Sequence, residues 1–538
     1  MRLSSSPRLL ISSLLISVAL WLCGRPNCSS LGRFDLTFFP LFTNGSGVAA
    51  SGVAPDLNCR IDRISPQNRS LAVSCDAAWP AEKYQLRFAD RFAGVASLSD
   101  RVYGLKIKDD QGAVLPLEIR GDGLYRFEVG SRRRITINFE MRLARAFDPS
   151  QTALVSSLGP EAGFLMIGDL LPRLCPAGDG QSNDTDCDAL VNRLRLRIAA
   201  PPSWRIATTE KEADGLYEIS DPGRAVFFLG RLREKTAAVG AINLRMAIAG
   251  DWGFADEEVF RLAEPIAREQ SAMVGGASPG DSLVTLAPFP QPLTGLRSSA
   301  VTLGRTSVLT LNPNNDARAT FAHYRRHLAH EMLHFYLPNA FRVRENFDWF
   351  WEGGARYMAL LTLMRLQVIG LREYLDAIGD EYEAYSLNPL RSQVSLIAAS
   401  PEKFSNAANY DLIYRKGMLV TALYDLELRW QSRGRLSVAD VMRSLYQKYA
   451  IGGREVGNGE VLGELRGAGD FLRQLRDDVE GVREIDLKER ISRYGLVMEW
   501  TANGRGRAHL KTATKLSERQ ETLLSDLTKR PELLQNRR

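Results

Sequence analysis

The apolar positions fall into two kinds of pattern along the chain. From about residue 56 to 250 they alternate with polar ones in short runs between turn residues, as in Tyr84–Phe88, Leu124–Val129, Ile135–Phe139 and Ala225–Leu229. A period of two puts every second side chain on one face of a strand, and strands recurring at this spacing predict a β-sandwich. From Glu257 to Met273 the period changes, and Val259, Phe260, Leu262, Ala263, Ile266 and Ala267 line one face of a helix. Two strand-like runs come next, Ser282–Ala287 and Thr306–Leu311, and then helical segments over about 317–336, 350–368 and 414–430. Asn314, Asn315 and Asp316 stand before the first of these segments and supply N-cap oxygens.

The stretch 1–55 fits neither pattern. Leu9–Leu22 is an apolar run behind Arg2 and Arg8, with the length of a signal-peptide core and short of a bilayer span. The segment 1–30 therefore reads as a signal peptide or an N-terminal membrane anchor held through residues 9–22, and the glycine-rich stretch 31–55 as a linker. The remainder divides into a β-rich N-terminal domain (56–250), an α/β domain (251–446) and a mainly helical C-terminal region (447–538), which makes the expected fold class multidomain α+β. The expected location is exported, periplasmic or extracellular. Cysteine usage agrees, because Cys59 with Cys75 and Cys175 with Cys187 each bracket a short polar loop. In an oxidising compartment each pair closes into a disulfide worth about 2–3 kcal/mol.

Composition adds little beyond an exclusion. Of 538 residues, 45% are hydrophobic and 25% charged, ordinary values for a globular chain. The net charge of +6 is spread along the sequence, and the longest basic run is Arg132–Arg134. A nucleic-acid partner calls for a concentrated basic patch, so none is expected.

The chemistry is concentrated in one place. Four of the five histidines lie between 323 and 334, and among them stands His330-Glu331-Met332-Leu333-His334. Residues four apart on a helix stand one above the other, so both imidazoles reach one ion at about 2.0–2.1 Å, while Glu331 is turned far enough to hold a water without ligating. A third ligand is expected from Glu352, at the start of the next helix, because the intervening stretch 335–351 suffices for a turn and a return. Two nitrogens, one oxygen and an open position specify one catalytic zinc ion. His323 lies too far along the helix to join that ion, and His323 and His327 read as polar surface or as support around the site.

These motifs resemble a known family. His330–His334, the stretch Trp351-Glu352-Gly353-Gly354-Ala355-Arg356-Tyr357 and the later Tyr414-Arg415-Lys416-Gly417 are similar to the HExxH, W-x-E-G-x-x-x-Y and Y-x-K-G motifs of the gluzincin peptidases. The chain looks like the glycyl-aminopeptidase family, related to aminopeptidase N, over about residues 255–500. The resemblance implies a thermolysin-like catalytic domain over 251–446, Glu331 as general base and Tyr414 as hydrogen-bond donor to the oxyanion. It implies a zinc metallopeptidase acting on a peptide or protein substrate. The family's acidic strand, which grips the substrate's free amine, has as its nearest counterpart Gly295–Ser299, with no acid and with Arg297 instead. A standard aminopeptidase is therefore not expected; an endopeptidase or an exopeptidase with another end-group preference is. The alternative is a peptidase-like binding or scaffold protein that keeps its zinc site.

Overall fold

The structure is a computed structural model that describes residues 56–529, apart from 80–81, 93, 131–132, 144–148, 177–192, 278, 314–315 and 502–506. The proposed leader, the linker, Asn314, Asn315 and Cys187 lie outside the described residues, so the Cys175–Cys187 pairing does too. Among the described residues no helix is long and apolar enough to cross a membrane.

The architecture is mixed α/β. In the N-terminal half, a seven-stranded sheet is built around the antiparallel strands Leu57–Ser65 and Ser70–Trp79. Cys59 stands directly opposite Cys75 in that pair, and the two form a disulfide. A four-stranded sheet containing Glu82–Arg87 and Leu124–Val129 buries Tyr84, Leu86, Phe127 and Val129 in the same core as Ile61, Val73, Ile137 and Phe139. The alternating runs Tyr84–Phe88, Leu124–Val129 and Ile135–Phe139 supply the inward faces of these sheets, whereas Ala225–Leu229 runs into the strand Val226–Gly230 of another sheet, which is buried at every position.

A second region is organised on a five-stranded sheet in the order Arg233–Val239, Ile242–Ile248, Asp281–Pro288, Thr306–Leu311 and Ser298–Leu303. Its first two strands precede residue 250, and its inner pairs are parallel. One face packs Leu244, Met246, Val284, Leu286, Leu309 and Leu311 against helices. The opposite face packs Ala247, Leu283, Ala287 and Val308 against Phe164 and Phe228 of a further four-stranded sheet. Covered on both sides, Thr306–Leu311 is buried at every position, which is why it reads as a continuous run instead of an alternating one. The strand Ser298–Leu303 pairs only on one side and leaves an edge.

The helical layer carries the motifs. Helix Ala317–Leu333 is capped by Asp316, whose carboxylate accepts from the Ala319 amide at 2.9 Å. A π-helical segment, Trp349–Gly354, runs into helix Ala355–Arg365, and the long helix Ala407–Ser432 crosses it. The Tyr357 hydroxyl donates to Asp425 at 2.7 Å, and Arg429 donates to the same carboxylate oxygen at 2.8 Å, so that these two helices are locked by a buried polar bridge. The C-terminal region is helical with one added hairpin, Leu496–Trp500 paired with Ala508–Thr512.

Candidate metal centre

His330 and His334 emerge from the end of helix Ala317–Leu333. Regular α-helical bonding stops at Leu333, but His334 keeps a right-handed helical conformation (φ −66°, ψ −13°), so the two imidazoles still meet, edge to face with centroids 4.7 Å apart. Their Nε2 atoms lie 3.1 Å apart. Oε2 of Glu352 is 3.4 Å from His330 Nε2 and 3.5 Å from His334 Nε2. A tetrahedral ion with ligand bonds of about 2.0–2.1 Å holds its ligand atoms about 3.3–3.4 Å apart, so the triangle is the right size for zinc. His334 is aimed into it by its other nitrogen, since Nδ1 lies 2.7 Å from the carbonyl of Leu337. These three residues are the one metal-capable His/Cys/Asp/Glu group among the described residues.

Glu331 does not join the triangle but stays within electrostatic reach of both histidines and meets the edge strand. The Thr302 hydroxyl lies 2.8 Å from Oε2 of Glu331 and 2.8 Å from its backbone carbonyl. Burial pushes the Glu331 carboxyl up, against the pull of His334, His330 and the Thr302 hydrogen bond. At the other end of the same strand, Ser298 Oγ is 2.7 Å from His323 Nε2 and 3.1 Å from His327 Nε2. Four strand residues advance about 13 Å and eight helical residues about 12 Å, so strand and helix run side by side in step. His323 and His327 therefore face the edge strand and stand outside the triangle.

Glycines bring the remaining parts together. A Cβ on Gly353 would lie 2.6 Å from the backbone of Gly417, and one on Gly417 would lie 2.5 Å from the carbonyl of Trp349. Only glycine lets the long helix approach the π-helical segment this closely. The contact sets Tyr414, one turn before Gly417, next to Glu352, immediately before Gly353. The Tyr414 ring lies 6.2 Å from that of His330 and stacks on Tyr410 at 4.4 Å. Burial, and then the Glu352 charge, push the Tyr414 hydroxyl well above the usual phenol range, which keeps it protonated and able to donate.

The sequence did not reveal three supporting residues. Lys403 Nζ lies 3.1 Å from Oε1 of Glu352 and 2.5 Å from Oδ1 of Asp348. Burial raises the Glu352 carboxyl, but Lys403 and the two histidines outweigh it and hold the group well below the carboxylate range. Asp348 had a local signal: a lone acid in Phe347-Asp348-Trp349-Phe350-Trp351 is buried among aromatics and must have a partner. Lys403, far along the chain from Glu352, and Thr302, on a separate strand, had none. The strand beside the helix begins at Ser298, so Arg297 lies just before it and is exposed. No acid occurs anywhere between 282 and 315.

No family model and no curated protein sequence matches the chain. Solved structures do. The chain is similar to an aminopeptidase N family protein from Idiomarina loihiensis at a TM-score of 0.71 and 17% identity, over 86% of this chain and 82% of that one. It is also similar to a mutant of an M1 zinc metallopeptidase from Deinococcus radiodurans at a TM-score of 0.50 and 16% identity, over 80% of this chain and 95% of that one. At these identities the likeness is one of fold, and the fold is the one these aminopeptidase N-like structures share.

Proposed function

We propose that the chain is an exported zinc-dependent metallopeptidase that hydrolyses peptide bonds, with one ion held by His330, His334 and Glu352. The observation that carries this reading is the 3.1–3.5 Å triangle of donor atoms, with an acid from the same helix beside it that does not join it. A purely structural zinc site has a fourth protein ligand and no need of that acid. Zinc, when bound, supplies a Lewis acid for the carbonyl and makes water acidic enough to attack near neutral pH. Glu331 takes the proton of the attacking water and returns it to the leaving amine. Its raised pKa suits both halves of that transfer. Tyr414, kept protonated, donates to the oxyanion. The Cys59–Cys75 disulfide supports an oxidising compartment.

The acid-free stretch that includes the edge strand favours an enzyme that does not depend on a free N-terminal amine. The test of the whole reading is metal analysis combined with turnover of a mixed peptide library. Glu331→Gln is expected to keep zinc and lose at least about a hundredfold in kcat. His334→Ala is expected to lose the ion. Near-normal turnover by the first variant, or full zinc occupancy in the second, would sink the assignment.

A further inference from the structure

Where an aminopeptidase would present a free acid, the surroundings of this triangle present an exposed cation. Arg356, one turn beyond Glu352 on the next helix, places its guanidinium 5.8 Å from the centre of the Tyr414 ring. Its charge also acts on His323, His327 and Tyr410, so it stands where the edge strand, the histidine helix and the tyrosine pair converge. The other charged side chain acting on His323 is Arg326, also a cation. Glu352, the carboxylate acting on Tyr414 and Tyr410, is already engaged by Lys403 and the two histidines. Glu381 lies behind Arg356 and is shared: its two oxygens bind Arg356 and Arg415, each at 3.0 Å. Arg415 is also held by Asp411 at 3.2 Å, so it has a carboxylate of its own, while Arg356 has only its share of Glu381 and its side chain remains 40% exposed. Ser298, half-buried between His323 and His327, adds a hydroxyl to the same wall.

We propose that this wall takes a substrate carboxylate against Arg356, so that the preferred peptides carry an acidic side chain or a free C-terminal carboxylate next to the scissile bond. The inference rests on the peptidase reading above. The scissile carbonyl has to lie between the His330–His334 triangle and Tyr414, and the Arg356 guanidinium is 5.8 Å from the centre of the Tyr414 ring, within the reach of a neighbouring residue. A guanidinium matches a carboxylate with two parallel hydrogen bonds, and it repels an ammonium. The shared Glu381 fixes the guanidinium from one side and leaves its exposed side to a ligand, which is how a binding arginine is pre-organised.

The experiment uses the zinc-loaded full chain carrying Glu331→Gln, so that binding is read without turnover. Four short peptides are compared by calorimetric titration. One is acetylated and amidated with no charge, one is the same with a single glutamate, one is neutral with a free C-terminus, and one is neutral with a free N-terminus. Binding about tenfold tighter for a carboxylate-bearing peptide is expected, falling to about twofold or less when Arg356→Gln is added and only partly restored by Arg356→Lys, which supplies the charge without the paired donors. Whichever carboxylate peptide binds tighter names the source. Equal binding of all four, preference for the free N-terminus, or a preference unchanged by Arg356→Gln (the carboxylate then sitting on the zinc) overturns the inference. Turnover by the wild-type chain is scored separately. Chelator-sensitive cleavage without carboxylate preference leaves the peptidase reading standing and removes only this inference, while absence of cleavage removes the reading itself.

Discussion

The ammonium of Lys403 stands 3.1 Å from Oε1 of Glu352, while Oε2 of the same carboxylate faces the two histidine nitrogens. One carboxylate thus serves a fixed cation on one side and the ion site on the other. Lys403 also meets Asp348, so two buried acids depend on it. Lys403→Met leaves both without their cation, and removing one partner of such a buried group costs about 3–5 kcal/mol. Denaturant unfolding of the metal-free protein should show a loss of that size. Zinc should narrow the gap between variant and wild type, because the ion replaces the charge that Glu352 has lost. A variant as stable as wild type without metal would contradict this account.

The contact of Thr302 with Glu331 lets the proposed general base be tested apart from the proposed metal site. Thr302→Val keeps the shape of the side chain and removes the hydroxyl that lies 2.8 Å from Oε2. A hydrogen bond to a charged group is worth about 1.5–3 kcal/mol, so kcat should fall roughly 10- to 100-fold while zinc content stays at one equivalent. Loss of zinc with activity would place Thr302 in the metal site instead.

Gly417 tests whether the helix crossing positions the site. A Cβ there meets the Trp349 carbonyl and the Gly353 Cα, and neither is a side chain that can swing aside. Gly417→Ala should cost about 1–3 kcal/mol and lower kcat/KM, since Tyr414 and Glu352 are displaced together. Gly459→Ala is the control, because a Cβ there has open space; it should lower neither quantity.

Lys416 gives a pH dependence. It is fully buried without a hydrogen-bond partner, and burial, against the pull of Asp478 and Glu484, lowers its pKa to about 8. An unfolded lysine titrates at about 10.4, so between pH 8 and about 10.4 the unfolded chain binds the extra proton. Stability therefore rises with pH across that window, by up to about 1.4 kcal/mol per unit. Below pH 8 the buried charge is a constant burden. Lys416→Met should be more stable than wild type at pH 7 by roughly 2–3 kcal/mol, and the difference should shrink toward pH 10. A pH-independent difference in denaturant midpoints would show that the lysine does not change its charge in the fold.

How much of this was legible follows the range of each interaction. The period-two runs before residue 250 and the helix from 256 to 273 were readable because each element carries its burial pattern in its own residues. The spacing of His330 and His334 was readable for the same reason: helical geometry alone puts them on one face. The Cys59–Cys75 pair was readable as two cysteines bracketing one short loop, and the hairpin places them opposite each other. Glu352 was within reach by chain length alone. Its π-helical setting was not, since that depends on Gly417 pressing against it from a distant part of the chain.

Tertiary structure decided the rest. Nothing local tells Lys403 to meet Glu352, Thr302 to meet Glu331, or Arg356 to share Glu381 with Arg415; each pair comes from separate elements brought together by the packing of the core. It also moved the strand beside the histidine helix to 298–303, because hydrogen-bond register with Thr306–Leu311 sets where that strand begins. The sequence by itself pointed to the three residues whose ligand atoms the fold brings together, since their meeting depends on helical spacing and a short return. The fold determined which charges surround it, since electrostatic neighbours are a property of space and not of order along the chain.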